Sequence, residues 1–114
     1  MSRSPSDLLR HMLDEIDFLQ EVRGRATRES LGQDGTLQRA VSRSIEIIGE
    51  ASKQMPAAFR ESHPEIPWKM IAGMRDRLIH GYFAVDYDIV WDVIENKLPE
   101  LRPLIIALLT TVED

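Results

Sequence analysis

The stretch Thr36-Leu-Gln-Arg-Ala-Val-Ser-Arg-Ser-Ile-Glu-Ile-Ile-Gly-Glu-Ala-Ser52 decides the fold class. Leu37, Val41, Ile45 and Ile48 recur three or four residues apart. An α-helix turns about 100° per residue, so these four side chains share one stripe. Ala40, Ala51 and Ser52 are small enough to let another helix approach closely. Arg39, Arg43, Glu46 and Glu50 form the opposite stripe at the same spacing, so they can pair. Such a face is either a solvated, salt-bridged surface or, at Arg43 or Glu50, the border of a site.

The same period continues on both sides. Ser4-Pro5-Ser6-Asp7 has the form of a helix start, with serine as cap and proline in the first turn. Leu8, Met12, Ile16 and Leu19 follow at helical spacing, which predicts a first helix over about 5–29. Gly24 weakens it, and Gly32 to Gly35 ends it. Thr36 opens the second helix and Pro56 stops it. A short helical turn at about 57–62 precedes the stiff loop His63-Pro-Glu-Ile-Pro67. Pro67-Trp68 starts a third helix with Ile71, Met74 and Leu78 inward, ended by Gly81. Asp86 caps a fourth, whose stripe is Ile89, Val90, Val93 and Ile94. Pro99 and Pro103 permit a restart or kink near 98–103, and Leu101, Leu104, Ile105, Leu108 and Leu109 supply the last apolar face. No segment alternates like a strand. The expectation is an all-α, up–down helical bundle of about four to five helices, one domain spanning 1–114.

Bulk properties narrow the function. The 114 residues are 43% hydrophobic and 29% charged, an ordinary globular composition. With no cysteine there is neither a disulfide framework nor a thiolate metal site. The start, Met-Ser-Arg-Ser-Pro-Ser-Asp7, lacks an apolar signal core, and the run Leu104 to Leu109 is far shorter than the roughly 18 residues of a membrane helix. These features predict a cytoplasmic protein with no membrane contact. Net charge is −5: residues 1–60 carry nine basic and nine acidic groups, residues 61–114 five and ten. Phosphate contacts need Lys and Arg, so any nucleic-acid role must rest on a local cluster rather than on the overall field.

One segment has the residue types for such a role. Arg75-Asp-Arg-Leu-Ile-His-Gly-Tyr82 places an arginine, a histidine and a tyrosine within eight residues. Arginine grips phosphate through a planar fork of donors, and histidine moves a proton near neutral pH. If residues 70–80 are helical, Asp76 and His80 lie on one face, where a carboxylate orients an imidazole. Arg75 then points about 140° away from His80. Either the helix ends before His80, or a second copy completes the site across a two-fold axis, which makes a homodimer attractive. Structural roles compete. His80 also suits a helix C-cap, and Tyr82 beside Phe83 suits a half-buried core position. His11 and His63 have no partner in spacing and receive no function. The pattern holds no metal motif and no glycine-rich phosphate loop, so no cofactor is expected.

Several blocks together resemble a known family. They are Arg39-Ala-Val-Ser-Arg43-Ser-Ile-Glu-Ile-Ile-Gly-Glu50-Ala, His63-Pro-Glu-Ile-Pro-Trp68, Gly73-Met-Arg75-Asp-Arg-Leu-Ile-His80-Gly-Tyr82 and Val85-Asp. In this order, from about residue 5 to 110, the chain resembles the HepT-like proteins of the HEPN superfamily. The resemblance implies a helical bundle that forms a homodimer. It implies a metal-independent endoribonuclease acting on tRNA or mRNA, the toxin of a type VII toxin–antitoxin pair. It implies a partner, an MntA-type nucleotidyltransferase antitoxin, that transfers AMP to the tyrosine of the motif. Carried over, the catalytic residues are Arg75 and His80, the modified residue is Tyr82, and Asp76, Glu50 and Arg43 support the site. Asp76 stands where the family usually has an uncharged polar residue, often Asn, and adds a negative charge beside the phosphate. An alternative class is a catalytically weak bundle that only docks a nucleotidyltransferase. A purely structural helical protein, in which Arg75 and His80 merely cap and pair, is a third.

Overall fold

The computed structural model describes residues 3–78 and 85–112. The fold is all-α. Among the described residues seven α-helices form in order: α1 Pro5–Arg25, α2 Arg28–Leu31, α3 Gly35–Gln54, α4 Ala57–Ser62, α5 Trp68–Leu78, α6 Tyr87–Asp92 and α7 Leu98–Thr111. A π-helical turn, Val93–Lys97, joins α6 to α7 without a break. The molecule is thus built on four long rods, α1, α3, α5 and the continuous stretch 87–111, with α2 and α4 as short turns. The α3 rod packs between α1 and α5, and α1 also packs on α7.

Most helix starts follow local chemistry. Ser4 Oγ accepts from the Asp7 amide at 3.2 Å while the Asp7 carboxylate accepts from the Ser4 amide at 3.4 Å, a reciprocal cap with Pro5 in the first turn. Asp86 caps α6 by accepting from the amides of Asp88 and Ile89 at 3.1 and 3.2 Å. The second long helix starts slightly earlier than Thr36, because Asp34 is its cap and accepts from the Leu37 amide at 3.0 Å.

The first helix is shorter than the periodicity predicts. It ends at Arg25, not near 29, and Ala26 is extended. The reason is a second capping pair: the Thr27 hydroxyl accepts from the Ser30 amide at 3.1 Å, and the Ser30 hydroxyl accepts from the Thr27 amide at 2.8 Å. That pair starts α2, and its Leu31 is fully buried as an anchor.

The core follows the predicted stripes closely. Leu8, Met12, Ile16 and Leu19 of α1 meet Val41, Ile45 and Ile48 of α3, with Ile71, Met74 and Leu78 of α5 behind them; all are buried. Two polar bonds fix the register of α3. Ser44 is buried and donates to the Glu15 carboxylate at 2.9 Å, and buried Ser52 donates to the Trp68 carbonyl at 3.1 Å. Gly49 brings α3 close to α5: a β-carbon there would lie 3.5 Å from the Ile71 carbonyl oxygen. Two apolar expectations are corrected. Ala40 is exposed rather than packed, since it lies on the charged side of α3, and Ile89 is exposed while its neighbour Val90 is buried.

The irregularity expected near 98–103 lies just upstream. Val90, Ile94 and Leu98 are buried at successive spacings of four. In an α-helix each step of four overshoots by about 40°, so the third residue would drift off the face. The wider π turn absorbs that drift. Its Leu98 amide donates to the Val93 carbonyl, five residues back, which leaves the Ile94 carbonyl without that donor. The next candidate, Pro99, has no N–H. Gln20 of α1 fills the gap, donating to the Ile94 carbonyl at 3.0 Å. Pro103 then sits inside α7 without ending it.

Ion pairs tie the rods at the surface. Arg28 of α2 pairs with Asp88 of α6, and Arg102 of α7 with Asp17 of α1 at 2.6 Å. The hydrogen bond from Arg102 to Asp17, and then the Asp17 charge, raise the guanidinium above its ordinary value, so Arg102 stays charged at any working pH.

Candidate functional site

Arg75 lies in the last turn of α5 with its side chain half exposed. The packing of α5 on α3 aims it at the charged stripe of α3. There its Nε lies 3.8 Å from one oxygen of Glu46, whose other oxygen lies 3.4 Å from Arg43 Nη1. One carboxylate therefore bridges two guanidiniums from two helices. The charged stripe read from the sequence is a salt-bridged surface that also walls a groove.

That wall belongs to a groove of about 390 Å³. From α3 it receives Arg43, Glu46 and Glu50, and from α5 Arg75. The opposite wall is the start of α1, with Leu8, His11 and, just ahead of the helix, Arg3. Buried Leu8 and Ala51 give it an apolar floor. Its rim holds three guanidiniums, one imidazole and two carboxylates. In a chain of net charge −5 this is a local concentration of positive charge, the kind of cluster that binding phosphate demands.

The structure thus brings together Arg75, Arg43 and Glu50 of the expected site. Asp76 is beside them but faces outward, exposed, with an oxygen 3.5 Å from Arg75 Nη1. His80 and Tyr82 lie outside the described residues, as does the Gly81 helix end. Arg39, on the same stripe, turns back to donate to the Gly35 carbonyl at 3.1 Å. His11 and Arg3 are groove residues that spacing gives no reason to choose. His11 is more than sixty residues from Arg75 in the chain, and only the packing of α1 on α3 brings it near. The other described histidine is structural. His63 packs against Phe59 in a tilted contact with ring centroids 4.4 Å apart, its Nδ1 lies 3.4 Å from Glu65, and its carbonyl accepts from the Trp68 indole.

Among the described residues, no three His, Asp or Glu side chains are grouped to hold a metal ion. No helix there is long and apolar enough to cross a membrane.

Comparison with known proteins places the chain in a family. Residues 12–108 match the family described as Ribonuclease HepT-like. The chain is 49% identical over 100 residues to a Caldanaerobacter subterraneus protein named "Putative RNase TTE0752", covering 88% of this chain and 89% of that one. It is 44% identical over 93 residues to "Putative RNase MJ0127" of Methanocaldococcus jannaschii, covering 82% and 74%. It is 42% identical over 102 residues to "Probable ribonuclease HepT" of Thermococcus cleftensis, covering 90% and 93%. No solved structure matches the chain. A family match across residues 12–108, with relatives at these identities over most of both chains, means that this protein belongs to the HepT-like ribonuclease family.

Proposed function

We propose that the protein is a metal-independent endoribonuclease that works as a homodimer, with Arg75 and His80 as its catalytic residues. The observation that carries this reading is the exposed Arg75 guanidinium, held at the edge of a cationic groove in a chain of ribonuclease kinship. In the reaction, His80 takes the proton from a ribose 2′-hydroxyl. The 2′-oxygen attacks the adjacent phosphorus, the bond to the 5′-oxygen breaks, and an imidazolium returns a proton to that leaving oxygen. Arg75 holds the phosphoryl oxygens as negative charge builds on them. The products are a 2′,3′-cyclic phosphate and a 5′-hydroxyl. DNA lacks the attacking hydroxyl and is not a substrate. A second copy across a two-fold axis supplies the other half of the cleft.

The reading extends to control. The protein serves as the toxin of a toxin–antitoxin pair, and an MntA-type nucleotidyltransferase transfers AMP from ATP to the Tyr82 hydroxyl, releasing pyrophosphate. An anionic nucleotide two residues from His80 then competes with RNA for Arg75.

The test is incubation of the purified protein with tRNA and total RNA in EDTA. Cleavage persists in EDTA, spares DNA, and falls by about 10²–10⁴ in His80→Ala, the usual worth of acid–base help. Abolition of wild-type cleavage by EDTA, or an undiminished His80→Ala, would overturn the assignment.

A further inference from the structure

We infer that the groove between α1 and α3 is a second phosphate subsite: it holds the RNA backbone one nucleotide away from the bond that is cut, through Arg43, Arg3 and His11. The inference rests on the ribonuclease reading of Arg75 and adds to it the path of the strand.

Charge is the first support. The chain as a whole repels RNA at net −5, yet three guanidiniums meet in this groove against two carboxylates, a local excess of one positive charge. The donors come from separate places, Arg3 and His11 on one wall and Arg43 on the other, so they converge on a ligand lying between them.

The arrangement around Glu46 is the second. Its two oxygens engage Arg43 at 3.4 Å and Arg75 at 3.8 Å. The two cations come from different helices and flank one carboxylate, so a strand that crosses Glu46 meets one guanidinium after the other. Arg43 is 71% exposed and Arg75 50%, and such exposed pairs are weak, so both guanidiniums turn to a phosphate at little cost.

Shape is the third. The groove's volume of about 390 Å³ is at the small end of ligand sites, room for about one nucleotide. The apolar floor of Leu8, Ile47 and Ala51 offers a surface for a ribose or base between the two phosphate contacts.

The test uses a fluorescent, fully 2′-O-methylated RNA hexamer, which binds but cannot be cut, followed by anisotropy across a salt series. Arg43→Gln is expected to weaken binding about tenfold, the loss of one charge-assisted contact. The slope of log affinity against log salt becomes shallower by about 0.7 for each phosphate contact removed. Arg3→Gln shifts both in the same direction. Arg25→Gln removes an equally exposed arginine outside the groove, paired with Glu21, and leaves both unchanged. All three positions are on the surface, and thermal melts verify their folding. Wild-type affinity and slope in Arg43→Gln and Arg3→Gln would overturn the inference, as would an equal loss in Arg25→Gln. Because the probe is not cleaved, these results are independent of the EDTA assay: a protein that cuts RNA yet is indifferent to Arg43 loses only the subsite.

Discussion

The two sides of α3 differ in burial and in charge. On one side Val41, Ile45 and Ile48 are fully buried, and Ser44 is spent on a bond to Glu15. On the other, Glu46 holds Arg43 and Arg75 through pairs open to water, with exposed Glu50 beside them in the groove. The inner side gains from area removed from solvent, at about 25 cal/mol per Å². The outer side gains almost nothing from its pairs in stability. Stability and chemistry are therefore separable along a single helix. Substitutions on the inner side are expected to change the melting temperature, and, on the proposed function, substitutions on the outer side are expected to change RNA cleavage instead.

Four measurements test this contrast. The largest effect is expected at Ile45→Ala, which leaves a cavity at the centre and costs about 2–5 kcal/mol in denaturant unfolding. A variant that unfolds at the wild-type midpoint would show that the inner side is not the core. Next is Arg75→Ala, whose cleavage rate falls by about 10²–10³, as when a donor to a developing charge is removed, while its stability moves by less than about 0.5 kcal/mol. Comparable losses of stability and rate would merge the two sides. Gln20→Leu comes third. It strips the Ile94 carbonyl of its donor, and thermal unfolding should register about 1–3 kcal/mol. The smallest effect belongs to Glu46→Gln, which changes stability by less than about 1 kcal/mol and by less still in high salt. A large, salt-independent loss there would mean that the outer pairs hold the fold.

What the sequence discloses follows the same division. The stripes of α1, α3 and α5 were readable because burial imposes a strict period on residues near each other in the chain. Ser4 and Asp86 were readable because a cap bonds to its own next turn. The charged side of α3 was ambiguous, since Arg43 and Glu50 would look the same on a plain solvated face. Arg3 and His11 were invisible, because their place beside Arg75 depends on how α1 lies across α3 and on nothing local. Thr27 and Ser30 were readable in principle, yet the apolar spacing of α1 outweighed them. The run Val90, Ile94, Leu98 did carry a sign of the π turn in its repeated spacing of four. Prolines 99 and 103 drew the irregularity downstream of its true place.

That wide turn has a mechanical consequence. It acts as a phase shifter, adding one residue of length so that the stretch behind it is clocked independently of the stretch in front. Removing a single residue such as Asn96 would restore an ordinary helix and leave Ile105 and Leu108 facing α1, whereas winding the full-length stretch as a plain α-helix would rotate α7 by about 100° and carry them out of contact. The C-terminal rod is thus keyed to the rest of the bundle by a count, and Gln20 is the tooth that reads it.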